Sequence, residues 1–303
     1  MQSFSANGKL LISGEYLVIQ GALALATPCK FGQVLKIEKT NTPSLNWQSL
    51  KKDGSIWIEE EFNKTILQSK LNSEDTVLMQ TLKHALSANP EFIQELLNKK
   101  VTTQLQFPTE WGLGSSSTLI HLIAKWSNTN AIAINTKVTG GSGYDIACAE
   151  SHRPILFRND EEGAVWEMVN FNPPSQEQLF FIYLNKKINS KEAVKKFIAE
   201  KKDFKEEIET ISEISEALLF CDVFEDFIVL LQEHEEVMQY VLQQEKIQSA
   251  MFADFPGVVK SLGAWGGDFI LAAANIEPIE IRSYFHNKGF DTILNYNEMV
   301  LFT

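Results

Sequence analysis

The sequence predicts an α+β fold, on three observations. Apolar and polar residues alternate as in a half-buried strand through residues 32–39 (GQVLKIEK), and apolar residues recur at helical spacing between 191 and 245. Strand-like runs then return near the end, at 269–273 and 292–296. Strands and helices mix without a repeating βα unit, which argues for α+β rather than an alternating parallel sheet.

Taken in order, residues 9–12 read as a strand, followed by a turn at Ser13-Gly14-Glu15 and a strand or short helix at 16–19. Residues 22–26 (ALALA) are small and apolar, suited to a buried element. Residues 40–60 read as a β-hairpin turning at Asp53-Gly54. Residues 76–88 predict a helix with Val77, Leu78, Leu82, Ala85 and Leu86 on one side, and 101–107 a strand. A helix to about Trp126 follows the loop at 108–118, a short helix covers 144–150, and a strand begins at Pro154. Asn172-Pro173-Pro174 is the best linker, which places two domains at 1–172 and 173–303. Beyond it, 179–184 (LFFIYL) reads as a buried strand. The stripes Ile208, Ile211, Ile214, Leu218 and Phe224, Phe227, Ile228, Leu231 read as helix cores. The glutamates between 206 and 216 read as a solvated helix face.

The chain has 303 residues, 44% of them hydrophobic, enough for one large or two medium domains. Its net charge of -12 offers no basic stripe, so nucleic acid is not an expected partner. No run of about twenty apolar residues predicts a membrane span. Cys29, Cys148 and Cys221 are odd in number and lack metal-ligand spacing, so they read as reduced thiols. With no signal-peptide pattern at the start, a cytoplasmic location is expected.

The stretch from Pro108 to Thr118 (PTEWGLGSSST) carries the most chemistry. Gly112 and Gly114 allow a sharp turn and close approach of an anion to main-chain amides. Ser115, Ser116 and Ser117 then open a helix, whose N-terminus adds partial positive charge. Together with Leu113 this makes a phosphate cradle; the plain alternative is a Gly-Ser turn capping an ordinary helix. Three other glycine-rich stretches stand beside it: NGKLLISGEY from Asn7, GSGYDIA from Gly141 and KSLGAWGGD from Lys260. None is a Walker A loop, which ends in Gly-Lys-Ser/Thr.

In this order the motifs resemble those of the GHMP kinases, over almost the whole chain. GKLLISGEYLVIQGALALA, GLGSSS and LGAWGGD look most like the phosphomevalonate and mevalonate kinase branch, and GYDIA resembles a bacterial subgroup named for that string. The resemblance implies a two-lobed architecture, with an N-terminal lobe similar to ribosomal protein S5 domain 2 and a ferredoxin-like C-terminal lobe. It implies that Gly112, Leu113, Gly114, Ser115, Ser116 and Ser117 wrap the phosphates of ATP, with Ser116 meeting Mg²⁺. Asp145 would take or orient the acceptor's proton and Lys9 would lie near it. Gly263, Gly266 and Gly267 would close on phosphate or substrate, and Glu15 would serve the same substrate region. The partners implied are ATP and a small anionic substrate, probed by a monomer or homodimer in a mevalonate-type pathway of isoprenoid biosynthesis.

Two departures weigh against a plain mevalonate kinase. Residues 130–135 (NAIAIN) lack the glutamate that mevalonate kinases use for Mg²⁺, and Trp265 stands where the family has glycine. A GHMP fold that binds nucleotide or metabolite without catalysis, and a diphosphomevalonate decarboxylase, remain alternatives. Lys260 reads as facing phosphate or as solvated. His121 reads as a packed histidine and Arg153 as a surface residue.

Overall fold

The computed structural model describes residues 1–160, 163–200 and 202–302. The chain forms two compact units that are not consecutive in sequence. The first is Met1–Gly8, Phe31–Thr109 and Leu113–Glu150; the second is Lys9–Lys30, Glu110–Gly112 and Ser151–Thr303.

Two long strands, β1 (Gln2–Ser13) and β2 (Ala24–Lys39), give residues to both units. In the first unit, β3 (Leu45–Leu50) and β4 (Ile56–Phe62) form the expected antiparallel hairpin, with Gly54 at φ 83 in its turn. The short α1 (Lys64–Leu67) leads to α2 (Val77–Ala88), which Thr76 caps by accepting the Met79 amide. After α3 (Phe92–Leu96), β5 (Lys99–Leu105) inserts parallel to β3 and antiparallel to the second half of β2. Helices α4 (Ser115–Ser127), α5 (Ala131–Val138) and α6 (Tyr144–Glu150) complete the unit. Its core joins Leu35, Ile37, Trp47 and Val101 of the sheet to Leu78, Leu82, Ile120 and Ile123 of the helices. The alternation in residues 32–39 has its expected result: Leu35 and Ile37 face inward while Lys36 and Glu38 are exposed.

In the second unit, β6 (Ile155–Asp160) pairs with the first half of β2 and with β7 (Gly163–Met168). Strand β8 (Leu179–Tyr183) is followed by α7 (Ser190–Ala199), α8 (Lys205–Phe220), α9 (Phe224–Leu242) and α10 (Ile247–Met251). Then come β9 (Val258–Ser261), β10 (Phe269–Ala273), α11 (Pro278–Asn287), β11 (Ile293–Asn295) and the short α12 (Tyr296–Met299). The sheet order β11-β8-β10-β9 is antiparallel throughout. Counted within this sheet it is 4-1-3-2, the ferredoxin-like arrangement. Phe180, Ile182, Phe252, Ile270, Ile281 and Phe285 fill its core. Ile211, Ile214, Leu218, Phe227 and Leu231 are buried, and Glu206, Glu209, Glu213 and Glu216 are exposed, as the two stripes require. Among the described residues no helix is long and apolar enough to cross a membrane, and the three cysteines form no disulfide.

Candidate functional site

In the first unit, the serine bend opens α4. Gly114 is its N-cap at φ 91 and ψ 45, a left-handed conformation that favours glycine, and no side chain caps the first turn. Ser116 is exposed and Ser115 half-buried, whereas Ser117 turns inward and donates to the Gly114 carbonyl at 3.3 Å. Thr118 anchors the turn from below by donating to Gln33 Oε1 of β2 at 2.7 Å. Residue 8 must be small here: a Cβ on Gly8 would sit 2.8 Å from the Phe31 carbonyl and 3.1 Å from that of Leu113. The result is a bend that leaves the first turn of a 13-residue helix without a side-chain cap and the Ser116 hydroxyl exposed at the helix's positive end.

Asp145 lies in the first turn of α6, behind Gly143 at φ 101. Its side chain is half-buried, and Oδ1 accepts the Ile146 amide at 3.1 Å. Asn135 of α5 is fully buried, its Oδ1 accepting from Thr139 Oγ1 at 2.9 Å. It lies in the stretch 130–135, which holds no carboxylate. His121 on α4 is buried and packed as expected, and burial pulls its pKa down to about 4.

In the second unit, Lys9 lies half-buried on β1. Its charge reaches Asp268, the last residue of the glycine-rich stretch between β9 and β10. Burial raises the Asp268 pKa; the Ile188 amide, Lys9 and Lys187 pull it back. Asp268 holds φ 53, and its Oδ1 accepts the Ile188 amide at 3.3 Å. Gly112, at φ 66, lies beside that carboxyl group, so a side chain there would strain the backbone and have to displace the carboxyl. Within the stretch, Gly263 and Gly266 have φ 64 and 86 and open space around them, so they serve conformation. Gly267 serves space, since a Cβ would meet the Lys186 carbonyl at 2.7 Å. Trp265 is only 5% exposed.

Glu15 and Lys260 are both fully buried and paired at 2.6 Å. Neither expectation for Lys260, facing phosphate or solvated, holds: its ammonium is consumed by Glu15 and the Ser261 carbonyl. Glu15 Oε2 lies 3.0 Å from His234 Nε2. Burial raises the Glu15 pKa, but Lys260 and then His234 outweigh it and the net shift is downward, so this buried carboxylate is ionised. His234 and Glu235 were missed because they lie in a run rich in glutamate. A signal existed: Phe227, Leu231, His234, Glu235 and Met238 share one helical stripe, and all are buried.

Mg²⁺ and ATP fit what is present. The uncapped amides at the start of α4 suit an anion, and the exposed Ser116 hydroxyl can ligate a cation. Among the described residues no group of three or more His, Cys, Asp or Glu could hold a metal alone.

No family model matches the sequence, and no curated protein does. Solved structures do. The Methanococcus jannaschii mevalonate kinase aligns over 100% of this chain and 98% of its own, with TM-score 0.74 and 16% identity. The Streptococcus pneumoniae phosphomevalonate kinase, solved with phosphomevalonate and AMPPNP, aligns over 97% and 100%, with TM-score 0.73 and 16% identity. The Lactococcus lactis galactokinase, solved with galactose, aligns over 99% and 95%, with TM-score 0.65 and 12% identity. The chain therefore has the fold of the GHMP kinases, nearly end to end.

Proposed function

We propose that this chain is an ATP-dependent small-molecule kinase, acting on a small anionic acceptor of the mevalonate type. One observation carries the reading: an open bend entered through left-handed glycines presents the uncapped N-terminus of α4. The likeness to a phosphomevalonate kinase solved with an ATP analogue supports it.

The residues take these roles. Amides from Leu113 to Ser117 hold the phosphates, and Ser116 Oγ ligates Mg²⁺. The nucleotide–Mg²⁺ complex supplies the γ-phosphoryl group and neutralises its charge. Where the acceptor is a hydroxyl, Asp145 accepts its proton as the new O–P bond forms and the β–γ bridging bond breaks, releasing ADP; where it is a phosphate oxygen, already anionic, Asp145 orients it instead. Lys9 stabilises negative charge that develops on the transferred group. Gly263, Gly266 and Gly267 give the loop between β9 and β10 its shape. Glu15, having no exposed surface, positions that loop rather than touching substrate.

The test is ADP release from ATP and Mg²⁺ with mevalonate, phosphomevalonate, homoserine and galactose supplied separately. Turnover with either mevalonate compound supports the reading, and ATP binding without turnover on any acceptor removes it. That second outcome is the non-catalytic reading, which the absent carboxylate at 130–135 favours.

A further inference from the structure

The second unit buries four ionisable side chains at one place. Glu15, His234 and Lys260 are fully buried and Glu235 nearly so; they come from the turn after β1, from α9 and from β9. Lys260 Nζ donates to Glu15 Oε1 at 2.6 Å and to the Ser261 carbonyl at 2.9 Å. His234 Nε2 accepts the Gly14 amide at 3.1 Å and also lies 3.0 Å from Glu15 Oε2. Hydroxyls extend the seam: Ser13 Oγ accepts the Leu25 amide at 3.2 Å and pairs with Ser215 Oγ at 2.7 Å.

Stability alone explains such a cluster poorly, since well-packed apolar residues do as well as a buried ion pair or better. The cluster instead joins two segments that hold unusual backbone. Tyr16, beside Glu15, has φ 59 although it is aromatic, and Gly14 has φ 95 against Ala24. Asp268, at the end of the loop that Lys260 leads into, has φ 53. Such conformations persist only where surroundings over-determine them.

The geometry points to a positioning role: the Glu15–Lys260 pair, with His234 holding the Gly14 amide, locks the turn at 13–16 and the loop at 262–268 into one register. It thereby sets ligand affinity at that loop without touching the ligand. The ligand part rests on the kinase reading above; the register lock rests on the contacts alone.

The charge-balanced double variant Glu15→Gln/Lys260→Met removes the pair without stranding a charge, and amide hydrogen exchange on the full chain reads the result by segment. Exchange is expected to speed at least tenfold in both 13–17 and 262–268 while peptides of β5 and α4 keep the native rate. The ATP concentration for half-maximal ADP release rises at least tenfold. His234→Leu should loosen 13–17 by the same factor. His234→Gln, which retains an acceptor for the Gly14 amide, should stay within threefold of native. This pair leaves the ion pair in place and decides the matter should the double variant not fold. Native exchange in both segments of a folded variant, or equal acceleration everywhere, overturns the register lock. Loosened segments with unchanged half-saturation overturn the affinity role. A native chain without phosphoryl transfer removes the kinase reading and leaves the exchange result standing.

Discussion

The glycine-rich bend before α4 and the glycine-rich loop between β9 and β10 look alike in sequence and differ in what they leave open. The first leaves Ser116 exposed and the first turn of α4 without a side-chain cap. The second turns its polar groups inward, with Lys260 spent on Glu15, and Asp268 packed behind Gly112. The contrast separates two uses of glycine. One frees amides for a ligand, and the other lets charged groups be packed at close range. An exposed bend should therefore answer to ligand and metal, and a sealed one to stability and alignment.

The largest expected effect lies in the first unit. Asp145→Asn should lower turnover by about 10²–10⁴-fold, the usual value of a positioned general base. Calorimetry with a non-hydrolysable ATP analogue should show binding preserved; an unchanged rate would take Asp145 out of the mechanism. In the second unit, Lys260→Met leaves the Glu15 carboxylate buried without its ammonium partner, at a cost of about 3–5 kcal/mol in urea unfolding. A loss under about 1 kcal/mol would mean that water or rearrangement relieves Glu15.

Glycine substitutions sharpen the comparison. Gly112→Ala places a methyl against the Asp268 carboxyl in a left-handed backbone, and should cost at least about 1–3 kcal/mol of stability. Gly266→Ala meets open space, so only backbone conformation opposes it, at about 1 kcal/mol. Equal losses at the two positions would contradict the packing of residue 112 on Asp268.

A pH test follows from Glu235. Burial pushes its pKa up to about 8, with Glu15 adding to the rise; Lys260, the Ser261 amide and Lys246 oppose it. The folded state thus binds the proton more tightly than the unfolded chain does. That contribution is full below the ordinary carboxylate range and is lost as pH rises through about 8. His121, held low, acts in the other direction, losing stability as pH falls from about 6.5 toward 4. Between about pH 6.5 and 8, thermal stability should therefore fall with rising pH, and Glu235→Gln should flatten that slope. The smallest effect is expected at Ser116→Ala. Stability should stay within about 0.5 kcal/mol, while the Mg²⁺ concentration for half-maximal turnover rises.

Much of the architecture was legible because it is local. The helix at 144–150 needed only a glycine turn before a short apolar run, and the 40–60 hairpin only its Asp-Gly turn. Strands β7 and β9 were not legible: β7 is a largely exposed edge strand with no clean alternation, and β9 is four residues long. At the site, the serine bend could be read directly, since glycine and hydroxyl residues before an apolar helix imply its geometry. Lys260 could not, because a lysine in a glycine-rich stretch has the same local pattern whether solvated or buried.

By itself the sequence determined the α+β class, the periods of its strands and helices, and the bend that opens α4, because each depends on neighbours a few residues away. Tertiary structure alone decided that Lys260 is sealed against Glu15, 245 positions earlier, and that His234 holds the Gly14 amide across 220 positions. Whether a charged side chain meets water or a counter-charge depends on which distant segments pack over it, and no local pattern carries that information.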